Sequence, residues 1–275
     1  MLGIRIISAV IALAFVAIIL WAGGWYFNAA LIAASLIGMY EIYRAFGLKG
    51  MKAQSTAAYL AIIFFHIQHF LYQGSYDFFH ILITVVLFMS LQVFMHSVKV
   101  DNIAITVLGF FYPGILLTTA SLMRDAACTN PNYLLILSIT ASYATDSFAY
   151  FTGKTLGKKK LCPAISPAKT IEGSIGGMVG SIILTPMLGI LLNWVYNIQV
   201  NLIHFIAIGI LGGVFSQIGD LTASSIKRYC GVKNYGNIMP GHGGIMDRID
   251  SLLFVLPVVY VYSQLFMTAW KGIVL

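Results

Sequence analysis

Apolar segments of about twenty residues recur along the whole chain, separated by short polar stretches. A helix needs about 20 mostly apolar residues to cross a bilayer. By this criterion the sequence predicts helices at residues 4–21, 25–43, 56–72, 77–96, 103–122, 132–151, 174–195, 202–224 and 250–269. We therefore expect an all-α, polytopic integral membrane protein with about nine transmembrane helices.

Lysine and arginine positions predict the orientation, because both residues are enriched in cytoplasmic loops. With a cytoplasmic N-terminus, fourteen of the sixteen fall on the cytoplasmic side, and only Arg124 and Lys271 fall outside. The C-terminus is then expected outside. We interpret the first helix as a membrane span rather than a cleaved signal peptide, because a second apolar segment follows it directly.

Composition excludes an ordinary soluble domain and divides the chain. It is 59% hydrophobic and 9% charged, whereas soluble domains are about 45–50% apolar and about 25% charged. Chemistry-bearing residues concentrate in the second half, so we predict a scaffold at 1–130, which could form a homodimer, and a catalytic region with a cytoplasmic-facing site at 131–275.

In the scaffold, Glu41 and Arg44 are expected to pair. His66 and His69 are interpreted as packing residues rather than metal ligands.

Acidic and basic residues gather where the last two predicted helices meet the cytoplasm. Asp220 and Lys227 share one helical face, and Asp247 and Asp250 lie one turn apart at the start of the ninth helix. Two helices could thus present carboxylates to one hard cation. Ligation by a few carboxylates together with substrate phosphates is typical of Mg²⁺, so the pattern indicates a metal-assisted site for a polyanion.

An earlier segment adds a carboxylate and a cation. Asp146 lies in the sixth apolar helix, where its insertion costs about 2.5–3.5 kcal/mol, which favours a functional role. In the loop that follows, Lys169 supplies a fixed positive charge, and Thr170 or Ser174 can cap the seventh helix. The glycines that come next permit close approach of backbone or phosphate to the positive end of that helix.

Three motifs carry a specific resemblance. They are DSFAYxxGK from Asp146, SPxKTxEG from Ser166, and SxxKR followed by PGHGGxxDRxD, which ends at Asp250. Residues 140–255 thus resemble the CDP-diacylglycerol synthase family, also called phosphatidate cytidylyltransferase. The sequence has Asn234 where that family usually has Asp, which keeps an oxygen but lacks the charge.

The resemblance implies that CTP and phosphatidic acid react to CDP-diacylglycerol and pyrophosphate, in phospholipid biosynthesis at a bacterial inner (cytoplasmic) membrane. It implies Mg²⁺ on Asp220 and Asp247, with Asp250 as a further ligand or neighbour, and allows a monovalent cation such as K⁺ in the same centre. The expected partners are CTP, phosphatidic acid and membrane lipids, with no nucleic acid. The catalytic set is Asp220, Asp247, Lys227, Arg248 and Lys169. The expected substrate contacts are Asp146, Ser166, Thr170, Ser224, Arg228, Lys233, Gly241, His242, Gly243 and Gly244.

Two other functions fit some of these features. A CTP-dependent lipid or polyprenol kinase would also need several membrane spans, Mg²⁺ carboxylates and cytoplasmic cations. A secondary transporter could explain intramembrane aspartates, but its charged sites would be distributed over two repeat halves. Here the charges lie mainly in the second half, which disfavours transport.

Overall fold

The helices of the computed structural model follow the predicted apolar segments. The structure describes residues 2–94, 99–125, 130–239, 241 and 243–267. The first five are α1 (Leu2–Ala22), α2 (Gly24–Gly47), α3 (Ser55–Tyr72), α4 (Asp77–Phe94) and α5 (Val100–Gly109). A π-helical turn (Phe110–Ile115) joins α5 to α6 (Leu116–Asp125). The last four are α7 (Tyr133–Leu156), α8 (Ile171–Tyr196), α9 (Leu202–Cys230) and α10 (Met246–Phe266). The predicted all-α class is confirmed.

Among the residues that the structure describes, five helical segments are long and apolar enough to cross a membrane, judged by length and composition: Gly24–Gly47, Val100–Arg124, Ile171–Tyr196, Leu202–Cys230 and Met246–Phe266. Large apolar side chains also lie on the outside of the protein, among them Trp21 and Trp194, which are 87% and 81% exposed. Apolar surface of this kind is suited to lipid rather than water. The chain is thus a multi-pass membrane protein, while nine crossings and the orientation stay predictions.

The chain folds as two compact units that interleave along the sequence. The first contains Met1–Thr118 and Tyr229–Arg248, and the second contains Thr119–Arg228 and Ile249–Leu275. The predicted functional division at residue 130 stays a prediction.

Polar side chains inside the first unit tie its helices together. His69 Nδ1 lies 2.7 Å from Asp77 Oδ2, which joins the end of α3 to the start of α4. His66 Nε2 lies 3.3 Å from Ser35 Oγ on α2. Both histidines are fully buried, and these hydrogen bonds lower the cost of burying their rings.

In the second unit, small residues bring α8 against α7. A Cβ atom on Gly173 would lie 2.8 Å from the Ala149 carbonyl oxygen, and one on Gly177 would lie 2.8 Å from that of Thr145. Real Cβ atoms do not approach oxygen so closely, so glycine is required for this helix contact. The sequence predicted that these glycines permit close approach of backbone or of phosphate, and the structure shows close approach of backbone.

The segment before α8 is a β-hairpin, where the sequence predicted a loop. Strands β1 (Lys160–Cys162) and β2 (Ser166–Thr170) pair antiparallel. The Arg228 side chain on α9 donates from Nε to the Ile165 carbonyl oxygen at 3.1 Å, which holds the hairpin turn. Thr170 caps α8, as predicted, because its hydroxyl oxygen accepts from the Gly173 N–H at 3.1 Å. Pro163 and Pro167 lie in this hairpin, and β2 leads directly into the helix cap.

Candidate active site

Three carboxylates of the second unit interact with one another: Asp146 on α7, Asp220 on α9 and Asp250 on α10. We call them the carboxylate cluster. Asp250 is 7% exposed, and the other two are half-buried. Like charges this close repel one another more strongly where water is scarce. The cluster therefore needs cations.

Lys169 supplies the nearest positive charge. Its Nζ lies 2.5 Å from Asp220 Oδ2, and both side chains are about a quarter to a third exposed. The hairpin and the Thr170 cap place this lysine, since Thr170 follows it at the end of β2. A second cation, Lys227, interacts with Asp250. The structure thus brings together Asp146, Lys169, Asp220, Lys227 and Asp250 of the predicted set.

Serine hydroxyls surround the cluster. Ser216 donates to Asp146 Oδ1 at 3.4 Å, and Ser251 also hydrogen-bonds the Asp146 side chain. The backbone N–H of Ser251 donates to Asp250 Oδ1 at 2.8 Å. Sequence reasoning missed both serines, although Ser216 lies four residues before Asp220 and so on the same helical face. That spacing was the available signal.

Gly219 lets α9 and α10 approach each other beside the cluster. A Cβ atom on Gly219 would lie 2.6 Å from the Asp250 carbonyl oxygen and 3.1 Å from the Ser251 Cα. Both contacts are with backbone, which cannot rotate away as a side chain can. Gly219 therefore sets how closely Asp220 and Asp250 are held.

Replacing Gly219 with Ala should destabilise the protein by about 1–3 kcal/mol, the usual cost of overpacking. We expect a lower thermal midpoint in detergent and a larger loss of activity than the loss of folded protein explains, because the two aspartates are pushed apart. Gly47→Ala is the matched control, since nothing lies within 4 Å of a Cβ atom there. A Gly219→Ala protein as stable and active as wild type would contradict this role.

Asp247 belongs to the first unit, where it binds the backbone of the segment before α10. Its Oδ2 accepts from the Tyr235 N–H at 2.8 Å and from the Gly244 N–H at 3.0 Å. We call residues 235–239, 241 and 243–245 the glycine-rich loop. The assignment of Asp247 as a metal ligand stays a prediction. The structure shows in addition that Asp247 binds the backbone of the loop.

The glycine-rich loop contains a tight turn. The Met239 N–H donates to the Gly243 carbonyl oxygen at 2.9 Å, and Gly241 and Gly243 have φ values of 78° and 87°. These left-handed conformations favour glycine over other residues. His242, a predicted substrate contact, lies outside the described residues.

Glu41 also binds this segment, which the sequence did not predict. Its carboxylate accepts from the backbone N–H groups of Ile245 and Met246 at 3.2 and 2.8 Å. The expected partner Arg44 also attracts this carboxylate, but its hydrogen bonds go to the two backbone amides, and Arg44 is exposed. The spacing on α2 suggested a local partner, whereas the observed partners are about 200 residues away.

The remaining predicted residues lie at the surface or have local contacts. Ser224 is buried and donates to Asp220 Oδ1 at 3.4 Å, and Ser166 is half-buried at the start of β2. The exposed ones are Arg228, Lys233, Gly241 and Arg248. Asn234, which stands where the family usually has Asp, is exposed as well. Within the described part of the chain, no three or more His, Cys, Asp or Glu side chains form a group that could hold a metal ion.

The sequence matches the cytidylyltransferase family over residues 3–266. It is 32% identical to the phosphatidate cytidylyltransferase of Bacillus subtilis, over 95% of this chain and 97% of the relative. It is also 32% identical to the protein of that name in Synechocystis, over 95% of this chain and 96% of the relative. The Thermotoga maritima protein of that name is 36% identical over 63% of this chain and 62% of the relative. The chain belongs to the cytidylyltransferase family, as its C-terminal motifs predict.

Proposed function

We infer that this chain transfers the cytidylyl group of CTP to phosphatidic acid, which gives CDP-diacylglycerol and pyrophosphate. The observation that carries this inference is the similarity, over nearly the whole chain, to relatives named phosphatidate cytidylyltransferase. The carboxylate cluster with Lys169 and Lys227 has the chemistry that this reaction requires. The chain is thus a nucleotidyltransferase.

The reaction needs charge control more than proton transfer. Phosphatidic acid is a phosphate monoester with a second pKa near 6, so its attacking oxygen is already deprotonated at neutral pH. That oxygen bonds to the α-phosphorus of CTP, and the bond to the bridging oxygen of pyrophosphate breaks. The barrier is repulsion between two polyanions, which fixed cations reduce. Lys169 and Lys227 are placed to neutralise phosphate charge, and the side chains of Arg228 and Arg248 are exposed.

The carboxylate cluster offers oxygen donors of the kind that a divalent cation takes. Asp220 and Asp250 are oxygen donors that repel each other, and Mg²⁺ usually takes one or two carboxylates together with substrate phosphates. We propose that Asp220 and Asp250 hold Mg²⁺, with Asp146 beside them. When bound, Mg²⁺ would offset charge on the triphosphate and the leaving pyrophosphate. A ligand role for Asp247 and a K⁺ ion in the centre stay predictions.

Two properties of the chain bear on its membrane arrangement: the long apolar helices among the described residues, and the positions of lysine and arginine. We propose nine crossings with a cytoplasmic N-terminus and an external C-terminus, because fourteen of sixteen Lys and Arg residues then fall inside. The proposed location is a bacterial cytoplasmic membrane, where CTP reaches the site from the cytoplasm. A homodimer through residues 1–130 is part of the same proposal.

An assay with two labelled forms of CTP tests the function. The purified full chain is given phosphatidic acid, Mg²⁺ and CTP labelled either in the cytidine or in the γ-phosphate. We expect the cytidine label in the lipid product and the γ-phosphate label in pyrophosphate. Transfer of the γ-phosphate label into lipid would support the lipid kinase instead, and no transfer of either label would contradict both.

A further inference from the structure

Glu41 is a buried carboxylate that none of the predicted catalytic roles uses. It lies on α2 in the first unit and is 1% exposed. Its Oε1 accepts from the Ile245 N–H at 3.2 Å, and its Oε2 accepts from the Met246 N–H at 2.8 Å. Met246 begins α10. One side chain from the N-terminal half therefore binds the start of the helix that carries Asp247.

The glycine-rich loop closes directly around this carboxylate. A Cβ atom on Gly236 would lie 2.8 Å from Glu41 Cδ, and one on Gly244 would lie 2.5 Å from the same atom. A Cβ atom at either position would displace the Glu41 carboxylate from the loop backbone. Gly236 and Gly244 are buried, as is Tyr235, which directly precedes Gly236 in sequence. The carboxylate is thus enclosed by the loop that it binds.

Asp247 binds the same loop. Its Oδ2 accepts from Tyr235 and Gly244, so four backbone N–H groups of this segment end on two carboxylates. Glu41 and Asp247 also repel each other. Hydrogen bonds from backbone N–H groups to carboxylates are about twice as strong as neutral ones, which offsets that repulsion. The position of Asp247 and the shape of the loop are consequently coupled to Glu41.

We propose that Glu41 is a positioning residue for cytidylyl transfer. It fixes the glycine-rich loop and the first turn of α10, and so holds the loop glycines and Asp247 in the arrangement that binds the nucleotide. Glu41 acts through these groups and does not itself touch CTP. The proposal rests on the proposed function and extends it to the N-terminal half, to which the sequence assigned only a scaffold role.

Two substitutions of Glu41 test this role, because they should change the KM for CTP and leave the KM for phosphatidic acid nearly unchanged. Glu41→Gln keeps one oxygen acceptor but turns an N–H group toward a backbone N–H, so one charge-assisted hydrogen bond is lost. We expect the KM for CTP to rise about tenfold, with little change in kcat or in the KM for phosphatidic acid. Glu41→Asp keeps the charge on a shorter side chain and should show a smaller rise. CTP binding, measured by calorimetry, should weaken in the same order.

Hydrogen exchange supplies a readout that does not depend on turnover. The amides of Ile245 and Met246 should exchange faster in Glu41→Gln than in wild type, because their acceptor is impaired. Asp77→Asn is the matched control, since Asp77 is a carboxylate of the same unit that binds Gln68 and His69. It should leave both the KM for CTP and the exchange of Ile245 and Met246 unchanged.

The outcomes separate this proposal from the proposed function. If Glu41→Gln lowers kcat in proportion to its folded fraction while the KM for CTP and CTP binding are unchanged, Glu41 is only structural and the proposal is overturned. If the wild-type chain makes no CDP-diacylglycerol, the proposed function fails. CTP binding and hydrogen exchange then decide the Glu41 proposal by themselves, and unchanged values in Glu41→Gln overturn it.

Discussion

Replacing Asp220 with Asn should reduce CTP-dependent turnover by about a hundredfold or more, while the protein still folds. Asp220 contacts Lys169, hydrogen-bonds Ser224 and interacts with two further carboxylates. Asn has the same shape but no charge, so it binds a divalent cation weakly and no longer attracts Lys169. Loss of a preorganised charge at a reacting centre commonly costs about 10²–10³ in kcat. The rate of CDP-diacylglycerol formation and the binding of Mn²⁺ as a Mg²⁺ substitute measure the two effects.

Thr222→Ala is the matched control on α9. The Thr222 hydroxyl donates to the Ile218 carbonyl oxygen of its own helix, so its loss should leave turnover and Mn²⁺ binding near wild-type values. Both variants are checked by size-exclusion chromatography and thermal unfolding in detergent. Near-normal turnover of Asp220→Asn at saturating Mg²⁺ would disprove the metal role of Asp220.

Replacing Lys169 with Met should lower kcat/KM for CTP by about a hundredfold. The variant keeps much of the apolar stem but removes the cation that neutralises Asp220 at 2.5 Å, so the triphosphate meets an acidic cluster with one positive charge fewer. Lys169→Arg keeps the charge and should lose less. In the absence of CTP, Mn²⁺ should bind Lys169→Met more tightly than wild type, because the ammonium group no longer competes for the Asp220 carboxylate.

A double-mutant cycle shows whether the two residues act together. If Lys169 and Asp220 form one functional pair, the combined Lys169→Met and Asp220→Asn variant should lose far less than the product of the single losses. Fully multiplicative losses would show that the ion pair has no part in catalysis. Unchanged Mn²⁺ binding in Lys169→Met would contradict competition for Asp220.

The helices could be predicted from the sequence because membrane-length apolar runs determine them almost alone. The predicted eighth segment at 202–224, for example, corresponds to α9 at Leu202–Cys230. The proximity of Asp146, Asp220 and Asp250 was also predictable in outline, because charged residues buried in an apolar chain must find one another.

Contacts that depend on distant pairing could not be predicted. Glu41 appeared to have a local partner in Arg44, and nothing in the pattern pointed to Ile245 and Met246. Local spacing likewise could not show that β1 and β2 form a hairpin, since the segment is short and contains two prolines. The packing role of Gly219 follows only from its contact with the Asp250 backbone, which the sequence does not reveal.

The interleaved first unit has a consequence for biosynthesis. Residues 1–118 leave the ribosome long before residues 229–248, which complete the same unit. Until the later segment is made, the Glu41 carboxylate lacks the two backbone amides that it binds in the finished protein. The early helices therefore remain without their final partners while about half of the polypeptide is still being inserted. During this time the Glu41 side chain is hydrated or bound by other groups. Assembly of the glycine-rich loop is consequently a late event, so a prematurely terminated chain lacks the loop that we propose to bind the nucleotide.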